Sequence, residues 1–242
     1  MIDLSADGHV HTAFSSGRDS VSVLVAAAEQ AGLTELTFAD RVGPDTSWLP
    51  PYLSAIQRAQ QRTDLVLRRG VEVEAIGIDG WLAFPSDLSG LEVISVGLNR
   101  LPLPAGLLSP DAVRTRIDDG TMRALDVIDQ VVTVTGLAVE RVSRYAPTRL
   151  ARPLDFLTRA GIDEAAVPDT AIAELVEACR ANGTVVEISE RHRLPGLRLV
   201  QACLDGGVRL AAASDAVRAS EVGYYRYVRE TAAAVSQSAA AA

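Results

Sequence analysis

Lysine is missing from this chain, and all 23 basic residues are arginine. Schiff-base catalysis, a covalently held pyridoxal group and a Walker-type phosphate loop each need a lysine amine, so none of them is expected. Cysteine is scarce, with two in 242 residues, too few for a disulfide scaffold; Cys179 and Cys203 fall in expected helices and read as buried free thiols. No apolar run is long enough to span a bilayer. The first residues carry Asp3 and Asp7 where a secretory signal would have a basic segment, which leaves a cytoplasmic protein as the simplest expectation. A formal charge of −8 argues against a basic face for nucleic acid or an anionic membrane, and favours a small-molecule partner.

Histidine is rare as well, three in all, yet two of the three stand at positions 9 and 11. In Asp7-Gly8-His9-Val10-His11-Thr12 the two imidazoles point to one side of an extended strand, because strand side chains alternate faces. They form half of a metal-binding shell. Spacing alone would equally suit two histidines at a strand end with no ligand role.

The rest of the chain alternates strand and helix with no composition break. Strands are expected at 34–39, 65–75, 92–97, 148–151, 184–189 and 208–213, after the His-x-His strand. Helices are expected at 21–31, 53–62, 112–144 with a break at Gly120, from Pro168 to Gly183, at 197–204 and at 222–235. Seven strands each followed by a helical region suggest a parallel barrel or a doubly wound sheet, in one domain of residues 1–236 with a disordered tail at 237–242. In a barrel the chemistry gathers at the C-terminal strand ends. The polar residues expected there are His9, His11, Asp40 with Arg41, Glu72, Asn99, Arg152, Glu187 with Arg191, and Asp215.

With these residues the chain resembles the PHP family, the polymerase and histidinol phosphatase group of metal-dependent phosphoesterases. The resemblance rests on Asp-Gly-His-Val-His-Thr at 7–12, Phe-Ala-Asp-Arg at 38–41, Gly-Val-Glu-Val at 70–73 and Gly-Leu-Asn-Arg-Leu-Pro at 97–102. It continues with Leu-Ala-Arg-Pro at 150–153, Val-Glu-Ile-Ser at 186–189 and Ala-Ser-Asp-Ala-Val at 213–217. It implies an α/β fold, a distorted (β/α)7 TIM-like barrel, and up to three divalent ions. His9, His11, Glu72 and Asp215 stand where the family places the ligands of one ion. Where further histidines are usual, this sequence has Arg41, Asn99, Arg152 and Val217, and Gly17 also replaces a frequent ligand.

Guanidinium cannot ligate a cation, but it can occupy its space and pair with phosphate or carboxylate. The expectation is therefore a hydrolase using one zinc or manganese ion on a small phosphorylated metabolite. Arg41, Arg152 and Arg191 would hold the anion and Asp40 would act as base. Salt bridges to Asp40 or Glu187 are the competing role for these arginines. Asn99, Arg100, Arg191 and His192 are read as substrate-side, together with Trp48 and Trp81, whose rings could instead pack their loops onto the barrel. Two other functions stay open: a single-metal enzyme acting on a carboxylate or carbonyl substrate, and a non-catalytic anion-binding protein. A homo-oligomer is left open as a partner.

Overall fold

Residues 2–241 are described by the structure, a computed structural model, with side chains through 237. Nine strands and eight α-helices follow one another along the chain. The strands are β1 (Ala6–Val10), β2 (Glu35–Arg41), β3 (Val66–Glu74), β4 (Val93–Gly97), β5 (Leu101–Leu103), β6 (Gly106–Leu108), β7 (Thr148–Leu150), β8 (Val185–Ser189) and β9 (Leu210–Ala213). The helices are α1 (Val21–Gln30), α2 (Leu49–Gln60), α3 (Pro110–Asp118), α4 (Ala124–Val142), α5 (Asp155–Arg159), α6 (Asp169–Ala181), α7 (Leu197–Asp205) and α8 (Tyr227–Ala241). The tail set apart at 237–242 falls almost wholly outside the described side chains.

Seven strands pair in parallel in the order β1-β2-β3-β4-β7-β8-β9, while β5 and β6 form a separate antiparallel hairpin. The residues just after β9 return to β1: Asp215 donates its N–H to the His9 carbonyl at 3.0 Å, and His11 donates to that of Ala216 at 2.9 Å. The sheet is thereby a nearly closed barrel flanked by helices, as the sequence pattern led one to expect.

Strand register decides which side chains share the lumen. Arg41 lies opposite Glu72, and Glu72 opposite Ser95, so these three line one row of the barrel interior. The outward residues of the same strands are apolar and pack under the helices. Phe38, Val71, Val73, Ile94 and Val96 belong to a core shared with α1 and α2, and a second core lies beneath α4 to α7. In α6, Ala171, Ile172, Leu175, Val176 and Cys179 form its buried stripe. Removing one such side chain, as in Leu175→Ala, costs about 2–5 kcal/mol.

Several boundaries differ from the sequence reading. Helix α2 begins at Leu49 rather than 53, because Pro50 and Pro51 occupy its first turn, where the backbone N–H has no helical partner in any case. The proline-rich loop after β4 contains the β5–β6 hairpin, and α5 is a single short turn that leaves no periodic signal. The last helix begins at Tyr227 instead of 222, after a 3-10 turn at Ala219–Glu221. Among the described residues, no helix is long and apolar enough to cross a membrane.

Candidate metal centre

At the C-terminal end of the barrel, β1 contributes His9 and, just past its end, His11, while β3 contributes Glu72; all three are buried. Their ligand atoms lie within 4.8 Å of one another. His9 Nε2 is 3.3 Å from Glu72 Oε2, and His11 Nε2 is 3.8 Å from the same oxygen. Asp215 adjoins through His11, whose Nε2 lies 3.4 Å from Oδ1.

The group has the donor chemistry of a cation site. His9 Nδ1 is 2.8 Å from Glu187 Oε2, and Ser95 donates to the other Glu187 oxygen at 2.9 Å. A carboxylate on Nδ1 holds the imidazole so that Nε2 offers its lone pair inward, the usual support of a metal-bound histidine. His9 Nε2 and both ring nitrogens of His11 are buried without a hydrogen-bond partner. Each such atom costs about 1–3 kcal/mol when nothing satisfies it. One such nitrogen from each ring beside the Glu72 carboxylate fits a divalent ion, and His9, His11 and Glu72 are the residues that could hold it.

Arg152 dominates the electrostatics. Its Nη1 donates to Glu72 Oε2 at 3.1 Å and to Asp215 Oδ2 at 3.0 Å, while Nη2 donates to Glu72 Oε1. Burial alone would raise the Glu72 carboxyl, but the charge of Arg152 and the adjoining His9 ring hold it well below the ordinary range. Asp215 is treated likewise: burial opposes ionisation, and the adjoining His11 ring plus the Arg152 charge outweigh it. In the metal-free protein burial disfavours the charged His9 ring, yet Glu187, by its charge and hydrogen bond, together with Glu72 pushes its pKa up to about 10, and a bound cation would take the place of the Nε2 proton.

Backbone strain gathers here too. The non-glycine residues with positive φ are Arg152, Leu154, Arg193 and Asp215, all in the loops that follow β7, β8 and β9. Such conformations are uncommon and persist where surrounding contacts enforce them. Gly97 is required by proximity: a Cβ there would lie 2.8 Å from Glu72 Oε1 and 3.2 Å from Arg152 Nη2. Gly17 packs against the His11 carbonyl, where a Cβ would approach to 2.2 Å, so this close approach leaves no room for a side chain.

The remaining sequence candidates are distributed unevenly. Arg41 stands beside the centre, its Nε 3.5 Å from Glu72 Oε2, with 46% of its side chain exposed. His192 reaches in from the loop after β8, with Nε2 3.5 Å from Asp215 Oδ2. Asp40 is buried and accepts from Thr12 N–H at 3.0 and 3.1 Å and from the Ser15 hydroxyl. Burial raises its pKa against those hydrogen bonds, and it makes no ion pair with Arg41, whose N–H instead donates to Ser15. Arg191 pairs with Glu221 at 3.2 Å.

Others are engaged elsewhere. Arg100 grips Glu74 with two nitrogens, at 3.0 and 2.7 Å, and Asn99 offers its backbone carbonyl to Arg159. Trp48 packs against Phe14 and Tyr52, with ring centroids 5.7 and 5.5 Å apart. Trp81 lies under the Arg141 guanidinium of α4 at 5.1 Å. Both rings thus make contacts with neighbouring side chains of the fold. Asp155 and Ser95 are not among the sequence candidates, and Glu187, expected at a strand end and as a partner for the arginines, instead supports His9. Ser95 is the one polar residue in the strand Val-Ile-Ser-Val-Gly, and that interruption was the available signal.

Geometry and fold together define an α/β barrel with a buried His/His/Glu group able to hold a metal ion. No protein-family model matches the sequence, and no curated protein matches it. Solved structures do share the fold. A histidinol phosphate phosphatase from Lactococcus lactis subsp. lactis Il1403, in complex with zinc, L-histidinol and phosphate, aligns over 97% of this chain and 93% of its own, with 15% identity and a TM-score of 0.65. A protein from Listeria monocytogenes described as a candidate histidinol phosphatase aligns over 90% of this chain and 97% of its own, with 15% identity and a TM-score of 0.63.

Proposed function

We propose that this chain is a PHP-type metal-dependent hydrolase, a phosphoesterase acting on a small phosphorylated metabolite with one divalent ion, zinc or manganese. The observation that carries the reading is the convergence of His9 Nε2 and the His11 ring, all without hydrogen-bond partners, on the Glu72 carboxylate. The zinc and phosphate in the structurally similar Lactococcus phosphatase support the same reading. His9, His11 and Glu72 would hold the ion, with Asp215 beside them.

Such an ion supplies a water acidic enough to attack at neutral pH and a Lewis acid for a phosphoryl oxygen. The chain's own residues do the rest. Glu187 fixes the His9 tautomer. Arg152 keeps Glu72 and Asp215 ionised and aimed inward, and with Nη1 shared and Nη2 engaged it has little left for substrate. Arg41, half exposed and loosely held, is the guanidinium free to pair with the phosphoryl group. Asp40 holds the loop of Thr12 and Ser15 and is the candidate base.

Metal analysis of protein purified without chelator, combined with a screen of phosphate monoesters, tests this reading. About one equivalent of zinc or manganese with turnover that disappears in His9→Ala supports it. A second reading has one observation in its favour: Arg152 already neutralises part of the carboxylate charge, as an anion pocket without metal would require. Ligand binding that survives both chelation and His9→Ala would select that reading.

A further inference from the structure

His192 is the only histidine outside the His-x-His pair, and its ring is held at both ends. Its backbone N–H donates to Ser189 Oγ at 3.2 Å, and the Ser189 hydroxyl in turn donates to Asp215 Oδ2 at 3.3 Å. Nε2 faces the centre, 3.5 Å from Asp215, and Nδ1 faces Asp155 Oδ1 at 3.3 Å. The ring is 26% exposed, so one edge of it reaches solvent.

Asp155 has no place in the reaction as described so far. It opens the short helix α5, is buried, and spends its second oxygen on Arg159 Nε at 2.8 Å. Arg159 also donates to the Asn99 carbonyl at 3.3 Å. A chain of contacts therefore runs from the loop after β4, through α5, to the loop after β8, and ends at the centre. Two of the strained residues bracket it, Leu154 immediately before Asp155 and Arg193 immediately after His192. A buried carboxylate supported on one side and directed at a partly exposed imidazole on the other is the arrangement that orients a ring.

We infer that Asp155, braced by Arg159, is a positioning residue that sets His192 to contact the anionic group of the substrate opposite Arg41. The inference rests on the phosphoesterase reading and extends it to a residue outside the metal-holding set. Asp155 touches neither the ion's ligands nor the substrate; its effect passes through the His192 ring. Neighbours that act as one unit show coupled, non-additive effects, whereas an aspartate that merely stabilises α5 would act independently of His192.

The test is a double-mutant cycle on the metal-loaded protein, with inorganic phosphate as probe by calorimetry and KM and kcat for a phosphate monoester alongside. Asp155→Asn is expected to weaken phosphate binding about tenfold, the size of one well-placed hydrogen bond to a charged group. The same change in a His192→Gln background is expected to do nothing further. Asp155→Glu should restore part of the loss. If Asp155→Asn does not fold, Arg159→Gln on the exposed side of the brace should give a smaller loss with the same disappearance in His192→Gln. Additive losses, or a lower melting temperature with phosphate affinity unchanged, overturn the inference. A metal-loaded parent protein that binds no phosphate overturns instead the reading on which it rests.

Discussion

Arg152 meets Glu72 at both carboxylate oxygens, with Nη1 3.1 Å from Oε2 and Nη2 on Oε1, and both side chains are all but sealed from solvent. The same Nη1 reaches Asp215 at 3.0 Å. One guanidinium thus governs two carboxylates drawn from different ends of the chain.

Breaking that arrangement on one side leaves buried charge unpaired. Arg152→Met should destabilise the metal-free protein at pH 7 by about 3–5 kcal/mol. The folded pKa values of Glu72 and Asp215 are depressed, so the stability they contribute is complete above their unfolded values, near pH 4, and is lost as pH falls toward the folded values. In the variant the same groups favour protonation. The gap between the two proteins is therefore widest near neutrality and closes on acidification. Urea melts in EDTA from pH 7 to pH 3 measure it, and a gap that stays constant across that range would contradict the charge account.

Metal should behave as a stabilising ligand. At a free concentration of 100 times Kd it adds about 2.7 kcal/mol, which corresponds to roughly 5–10 °C in Tm for a chain of this size. His9→Ala and His11→Ala should each abolish that rise. Thermal scans with zinc and with EDTA read it directly, and an unchanged rise in either variant would remove that residue from the ligand set.

Glu187→Gln tests the support behind His9. The amide retains the shape but loses the charged acceptor for Nδ1, and losses of about 10- to 100-fold in metal affinity are usual for such partners. Competition with a chromophoric chelator provides the value. Full affinity in the variant would show that His9 is oriented by packing alone.

Arg41 and Arg100 should separate cleanly. Arg41→Ala is expected to raise KM for a phosphate monoester about tenfold and to leave Tm in place, since nearly half of its side chain is exposed. Arg100→Ala, which releases only the Glu74 pair, should leave KM where it was. Equal effects on KM would undo the distinction between a free and an engaged arginine.

The two thiols should be slow to react. Burial pushes Cys179 and Cys203 up to about 12, with the neighbouring Cys203 adding to the rise at Cys179. At pH 8 both remain protonated, and the thiolate is the nucleophile. Ellman's reagent should label neither in the folded protein and two per chain in urea; prompt labelling without denaturant would mean that α6 and α7 open readily.

How far the sequence could be read depended on the range of the interactions involved. Strand and helix positions follow from local alternation, so the seven barrel strands, the buried stripe of α6 and the inward-facing pair His9 and His11 were all legible. The β5–β6 hairpin and α5 were not, because three- and five-residue elements carry no period to detect. Which arginines are free was also out of reach. Arg41 and Arg100 both follow polar residues at the ends of strands, and nothing near them in the chain says that Arg100 will find Glu74.

Composition and pattern by themselves determined the alternation of strands and helices, the exclusion of lysine chemistry and the paired imidazoles, because each is read from residue types and their local spacing. Only the closed barrel decided that Arg152 would lock Glu72 and Asp215, that Glu187 and Ser95 would support His9, and that Asp155 would stand behind His192. Those contacts join residues from nearly 40 to nearly 180 positions apart. Their geometry exists only once the strand register and the return of β9 to β1 place the strand ends around one centre.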